Sequence, residues 1–308
     1  MAYNNPPRTP CQYSLPLTCE DCPRRQSYEE KNYKNYHINQ ICLIIEGKSD
    51  NIRGKMKEIL QEILKESRTC EIEKKQEILK ILEFVDIPGG VIQLGTVHPL
   101  RCTLEGKRWN ETPVRQIEVA PFSLCKFKVT NELYEIINPE HRRTPQSLEN
   151  DMPVVDIMYG EALTFCRKLN ERTGMLFRLP TEPEWVFAAA PTGWEFPYQE
   201  NARDPREDWG HVYGDGQEHG VVSVGDSRWE SNQFGLDQMG HNVSELTFGH
   251  YRTSTGNWGA QDDGMYCIAK GGNYGHCSFS AGVNRRLIVD VSDRNPRIGI
   301  RLAHNLIK

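Results

Sequence analysis

From Gly272 to Ile307 there is no lysine, glutamate, glutamine, methionine or tryptophan. Those five types make up 69 of the 308 residues. At that average, an empty run of this length has a chance of roughly one in ten thousand, before allowance for the choice of window. They are also the five amino acids that no pyrimidine-ending codon can encode. A segment whose AAC or AAT codons had been randomised at adenine would lack all of them. Other absences narrow the class further. No run of about 18 apolar residues occurs, which argues against a helical membrane span. The start, MAYNNPPRTPCQYSLPLTC, has no apolar core, so no secretory signal is visible and cytoplasmic synthesis with reduced thiols is expected. There is no basic block, and the net charge is −5, so nucleic acid is not an expected partner. The nine histidines form no H-x-H, H-x3-H or H-E-x2-H pair. No phosphate-cradling glycine loop, Ser/His/Asp motif or internal repeat is found.

What is present begins with ten scattered cysteines. Cys42, Cys70, Cys102, Cys125, Cys166 and Cys267 lie in segments that read as strand or helix, where a free thiol acts as a small hydrophobe. Cys19 and Cys22 form one C-x2-C with Cys11 upstream, short of the four matched ligands of a structural zinc site unless Cys42 or Cys70 completes it. Tyr36 to Glu46 reads as a strand or short apolar segment. Ile52 to Val85 carries Ile59, Leu60, Ile63, Leu64, Ile78, Leu79, Ile81 and Leu82 at helical spacing, and predicts two amphipathic helices broken near Ser67–Cys70. Asp86-Ile-Pro-Gly-Gly punctuates a boundary. Strands are expected in VIQLGTV and VRQIEVAPFSLCKFKVTN. A helix from Glu132 to Ile137 is expected behind the cap Thr130-Asn131, and another from Tyr159 to Thr173 ending at Gly174. Arg178 and Glu184 are placed for a charge-assisted contact near a buried Trp185. Pro191 to Asp263 reads as irregular.

The C-terminal stretch, Ala269 to Ala303, has no helical or strand period but too many large side chains for a plain solvated loop. Gly271, Gly272, Arg286, Arg294, Gly299 and Arg301 stand in it as a sparse scaffold. This is the composition of a rigid frame presenting mixed chemistry. Loop-tethering ion pairs are the expected role of the three arginines.

The succession GGVIQLGT, VRQIEVAPFSLCKFKVTNELY, MPVVDIMYGEALTFCRKLNERTG, FRLPTEPEWVFAAA, FGLDQMGHNVSEL, AKGGNY and GIRLA resembles the formylglycine-generating enzyme/sulfatase-modifying factor family from Pro88 to Ala303. The resemblance implies an α+β fold, a variant of the C-type lectin fold with long packed loops, at 86–308, preceded by a small mainly helical region at 1–85. Formylglycine-generating members carry two copper-binding cysteines after the Gly-Gly. Those places fall here on His276 and Ala281, with Cys277 one position late and alone, and a lone thiol does not reproduce a paired thiolate site. The family's GN-x-WEW segment is reduced to Gly240-His-Asn-Val-Ser-Glu-Leu246. No catalytic residue, metal or cofactor is therefore expected.

Within that family, the sequence is most similar to the variable proteins of diversity-generating retroelements. Their C-terminal region has a Gly-Gly, mutable positions, arginines eight apart and a closing G-[FI]-R, here Arg286, Arg294 and Gly299-Ile-Arg301. That resemblance implies a non-catalytic ligand-binding protein with a variable region at 272–298. The displayed residues would be Tyr274, Gly275, His276, Cys277, Phe279, Ser280, Arg285, Leu287, Ile288, Val289, Asp290, Asn295, Pro296 and Arg297. The partner would be an unknown protein or cell-surface ligand, with the N-terminal helices serving assembly or attachment, for instance to a virus particle. Two rivals remain. One is a copper-dependent formylglycine-generating oxidoreductase using Cys277 with Cys267 or His276. The other is a degenerate paralogue with one fixed partner. Sequencing the locus checks the codon reading: the DNA near the segment encoding 272–298 is expected to hold a near-copy differing at adenines, beside a reverse transcriptase gene.

Overall fold

The computed structural model describes residues 50–95, 114–190, 220–226, 231–251, 264–275 and 282–306. The protein divides into two compact units, 1–72 and 73–308. Of the first, the described part is the start of helix α1 (Asp50–Ile81). Two helices were expected here, but α1 runs without a break through Ser67–Cys70. That stretch contains neither proline nor glycine to break the helix, and Thr69 satisfies its hydroxyl within the helix, on the Lys65 carbonyl at 3.0 Å. Ile59, Ile63 and Ile72 stay exposed along it. The strand read at Tyr36–Glu46 lies outside the described residues. No described helix is long and apolar enough to cross a membrane.

In the second unit the helix stops at Ile81, earlier than its pattern suggested, and Phe84–Ile87 becomes strand β1. Pairing wins there over helical continuation: β1 lies antiparallel to β4 (Phe122–Cys125). β2 (Gly90–Leu94) and β3 (Arg115–Val119) form a separate two-stranded ribbon. α2 (Asn131–Ile137) starts where Thr130 accepts the Leu133 N–H, and α3 (Tyr159–Thr173) ends at Gly174. β5 (Phe177–Arg178) leads into α4 (Glu182–Ala189), whose capping box joins Thr181 and Glu184. Arg178 grips Glu184 with both terminal nitrogens, at 2.7 and 2.6 Å.

The stretch read as irregular contains β6 (Ser244–His250), whose first four residues are all buried. A strand covered on both faces shows no alternation, so its sequence hides it. β6 pairs with β7 (Tyr266–Lys270), β7 with the outer β8 (Leu287–Asp290), and β6 in parallel with β9 (Ile298–Gly299). The last strand, β10 (Ala303–Asn305), crosses to the other sheet and inserts between β4 and β5, giving the order β1-β4-β10-β5. These C-terminal strands are two to four residues long, too short to reveal a period.

Two large apolar clusters fill the unit, with a small third of Val155, Val221 and Val243 against which Tyr274 packs. One gathers α2 and α3 with Leu246, Cys267, Ala269, Val289 and Ile300. The other surrounds Trp185 with residues of β1 to β4, α4 and Met239. Gly271 sits against that tryptophan with φ +79°, and a Cβ there would lie 2.9 Å from the Met239 carbonyl. Arg301 lies wholly buried on the connection from β9 to β10, between the two sheets. Arg301→Ala is therefore expected to cost about 3–5 kcal/mol of unfolding free energy, because Glu245 is left buried and underpaired. Urea titration of the variant measures it.

Candidate functional site

The frame of the C-terminal window is a set of arginines reaching carboxylates on distant elements. Arg301 donates Nε to Glu245 Oε2 at 3.0 Å and Nη2 to Oε1 at 2.9 Å. Its remaining N–H groups go to the carbonyls of Cys125 (2.9 Å), Lys126 and Asp237 (2.8 Å). All five guanidinium donors are thus used. Glu245 also accepts Lys128 Nζ at 2.6 Å and Trp185 Nε1 at 2.7 Å. Burial alone would raise this carboxyl, but Arg301 and Lys128 outweigh it and hold Glu245 down at about 2. Burial also lowers Lys128 to about 8, which Glu245 only partly offsets.

Arg286 forms a bidentate pair with Glu182 of α4, at 2.6 and 2.8 Å, and Lys270 adds a longer contact of 3.4 Å. Arg294 reaches Glu161 of α3 at 2.5 Å and the Asp156 carbonyl at 2.8 Å. This third pair is partly exposed and contributes less energy than position. Gly272 donates to the Gly240 carbonyl at 3.1 Å, and a Cβ on Gly299 would approach the Val154 carbonyl to 2.7 Å.

Between these pins, the candidate display residues fall into distinct settings. Gly275, Ile288 and Arg297 are exposed. Tyr274, Arg285, Leu287, Asp290, Asn295 and Pro296 are half-buried. Leu287 packs partly on the core. Asn295 is engaged in its own turn, accepting the Arg297 N–H at 2.9 Å, and Asp290 similarly holds Ser292. Val289 is a correction: it is 8% exposed and belongs to the first apolar cluster. The cause is strand alternation, since β8 turns Ile288 outward and therefore Val289 inward. His276, Cys277, Phe279 and Ser280 lie outside the described residues.

β8 shares its outer face with a strand that composition did not single out. Tyr266 stands opposite Asp290 and Ile268 opposite Ile288, with exposed Met265 just before them. The alternation in Tyr-Cys-Ile-Ala was the available signal. Glu161, Glu182 and Glu245 were not read from sequence as partners of the arginines, nor Lys128 as a second cation on Glu245, although all four sit inside segments that carry the family resemblance.

Among the described residues no three His, Cys, Asp or Glu side chains gather as metal ligands. Cys267 is buried in β7 and pushed up to about 12 by its burial, which leaves a neutral thiol. His241, in the degraded GN-x-WEW segment, is held at about 3 by burial and by Lys128, so it is a neutral imidazole. Asn242 beside it, at φ +65°, exchanges hydrogen bonds with Val222.

The fold and this frame belong to a known class. The chain is a member of the sulfatase-modifying factor enzyme 1-like domain family, matched over residues 69–306. Its architecture is the α+β, C-type lectin-like fold of the formylglycine-generating-enzyme type with a helical N-terminal region. In sequence it is similar to the inactive C-alpha-formylglycine-generating enzyme 2 of Bos taurus, 26% identical over 231 residues, covering 56% of this chain and 72% of the bovine protein. In structure it is similar to Treponema denticola variable protein 1, with a TM-score of 0.58 and 16% identity, over 73% of this chain and 95% of that one. PvdO from Pseudomonas aeruginosa matches with a TM-score of 0.52 and 19% identity, over 72% and 94%. At these identities the two structures establish a shared fold.

The anchor has a pH signature. Glu245 titrates near 4.5 unfolded and near 2 folded, so the unfolded state binds the extra proton in between. Stability is expected to be complete above pH 4.5 and to fall as pH drops toward 2. Urea unfolding across that range, with Glu245→Gln as the flattened control, is the measurement.

Proposed function

We propose that the protein is a non-catalytic ligand-binding display protein, a variable protein of a diversity-generating retroelement. Its binding surface is made from the exposed residues of the 272–298 region on a fixed C-type lectin-like frame. The observation that carries this reading is the separation of roles within one window. Arg286, Arg294 and Arg301 are tied to Glu182, Glu161 and Glu245 on elements outside it, while Gly275, Ile288 and Arg297 in the same window reach solvent. A frame fixed by remote carboxylates does not depend on what its exposed positions carry. Recognition would come from aromatic and aliphatic area with polar contacts around it. A pre-fixed frame spares about 0.5–1.5 kcal/mol per side chain that a floppy patch would lose on binding.

The likeness in fold to a variable protein and in sequence to an inactive family member supports the same reading. So does the misplacement of the cysteine pair, with Cys277 alone in its segment. The exposed Ile59, Ile63 and Ile72 on α1 support assembly or attachment through the N-terminal region.

Substitution tolerance tests the proposal. Polar replacements at Ile288, Asp290 and Arg297, singly and together, are expected to change unfolding free energy by no more than about 0.5 kcal/mol each. Val289→Asp should unfold the domain. Urea titrations of both sets distinguish a displayed surface from a structural one, and destabilisation by the first set would overturn the reading. Oxygen uptake with copper and a cysteine-containing peptide, abolished by Cys277→Ser, would establish the oxidoreductase instead.

A further inference from the structure

One corner of the patch is already shaped for a particular chemistry. Arg297 differs from the three anchoring arginines: among the described residues its guanidinium makes no ion pair. It lies over the Tyr274 ring, with the guanidinium carbon 5.6 Å from the ring centroid. It also lies directly on Gly275, where an added Cβ would stand 2.5 Å from both its Nε and its central carbon. The missing side chain of Gly275 is what leaves room for the guanidinium at this place. Arg285 is likewise without an ion pair, but it has no aromatic platform among the described residues.

The backbone on both sides of this corner is fastened to one segment. The Tyr274 N–H donates to the Asn242 carbonyl at 2.9 Å, and the Ser244 N–H donates to the Arg297 carbonyl at 2.9 Å. Asn273 supports the turn by accepting the Gly275 N–H at 3.1 Å and donating to the Ser244 hydroxyl at 3.0 Å. A guanidinium beside an aromatic ring and without an ion pair has N–H groups left to match a carboxylate bidentately.

We propose that Arg297, held over Tyr274 and Gly275, is a carboxylate-binding subsite of the patch. The partner is then a protein presenting an aspartate, a glutamate or its own terminal carboxylate at this corner. The partner assignment rests on the display reading above, whereas the anion site itself does not.

The test uses the full-length protein labelled with 15N-arginine. The Arg297 Nε–Hε resonance is assigned by its loss in Arg297→Lys, and sodium acetate is titrated against sodium chloride at equal ionic strength. A saturable shift of Arg297 with acetate alone, with Arg294 and Arg301 unmoved, is the expected result. Gly275→Val pushes only the far end of a flexible side chain, so it should leave the midpoint of unfolding unchanged while weakening acetate binding about tenfold. An equal response to both salts, no saturation, or unchanged affinity in Gly275→Val overturns the proposal. Such a failure leaves the display reading to its own test, because substitution tolerance does not depend on acetate.

Discussion

A single buried carboxylate, Glu245, holds the two halves of this domain in register. It receives donors from Arg301 on the connection between the sheets, Lys128 after β4, and Trp185 on α4. Removing charge from water is costly unless every polar group finds a partner. Here the arginine uses all five of its N–H groups and the carboxylate both its oxygens. The constraint is geometric as well as energetic, because only one path of the backbone delivers Arg301 to that point. Once it is delivered, Ile300 and Leu302 on either side are buried in the apolar interior.

The C-terminal window therefore does two jobs. Its final part is interior: β9 completes one sheet and β10 fills the middle of the other. Its earlier part runs between anchors, with β8 lying along the outer side of β7 and offering one face to each environment. Val289 in the core and Ile288 outside, one residue apart, mark the two faces of β8. A patch on such a strand has every second residue committed to packing. On the same outer face β7 supplies Tyr266, opposite Asp290.

The same division explains how an enzyme-family fold could serve recognition. The carboxylates that hold the frame, Glu245 under Arg301 and Glu182 under Arg286, come from elements outside the window. The segment corresponding to the family's GN-x-WEW motif has become part of the frame, with His241 neutral and buried and Asn242 bonded to Val222. Arg297 on Tyr274 shows that exposed positions nonetheless influence one another. An added side chain at Gly275 would meet the guanidinium before anything else.

The sequence by itself determined the family, the helix α3 with its terminator, the cap at Thr130, and the Arg178–Glu184 contact. These depend on local spacing and on groups only a few residues apart. It also marked the window, through the five amino acids missing from it, and the three arginines as fixed points. Only the tertiary structure decided which carboxylates they meet: Glu161 lies 133 positions from Arg294, and Glu182 lies 104 from Arg286. No local pattern encodes a pairing at that separation. The structure likewise decided the continuity of α1, the buried strand β6 and the inward turn of Val289, because burial on both faces erases alternation and a four-residue strand is too short to announce its phase.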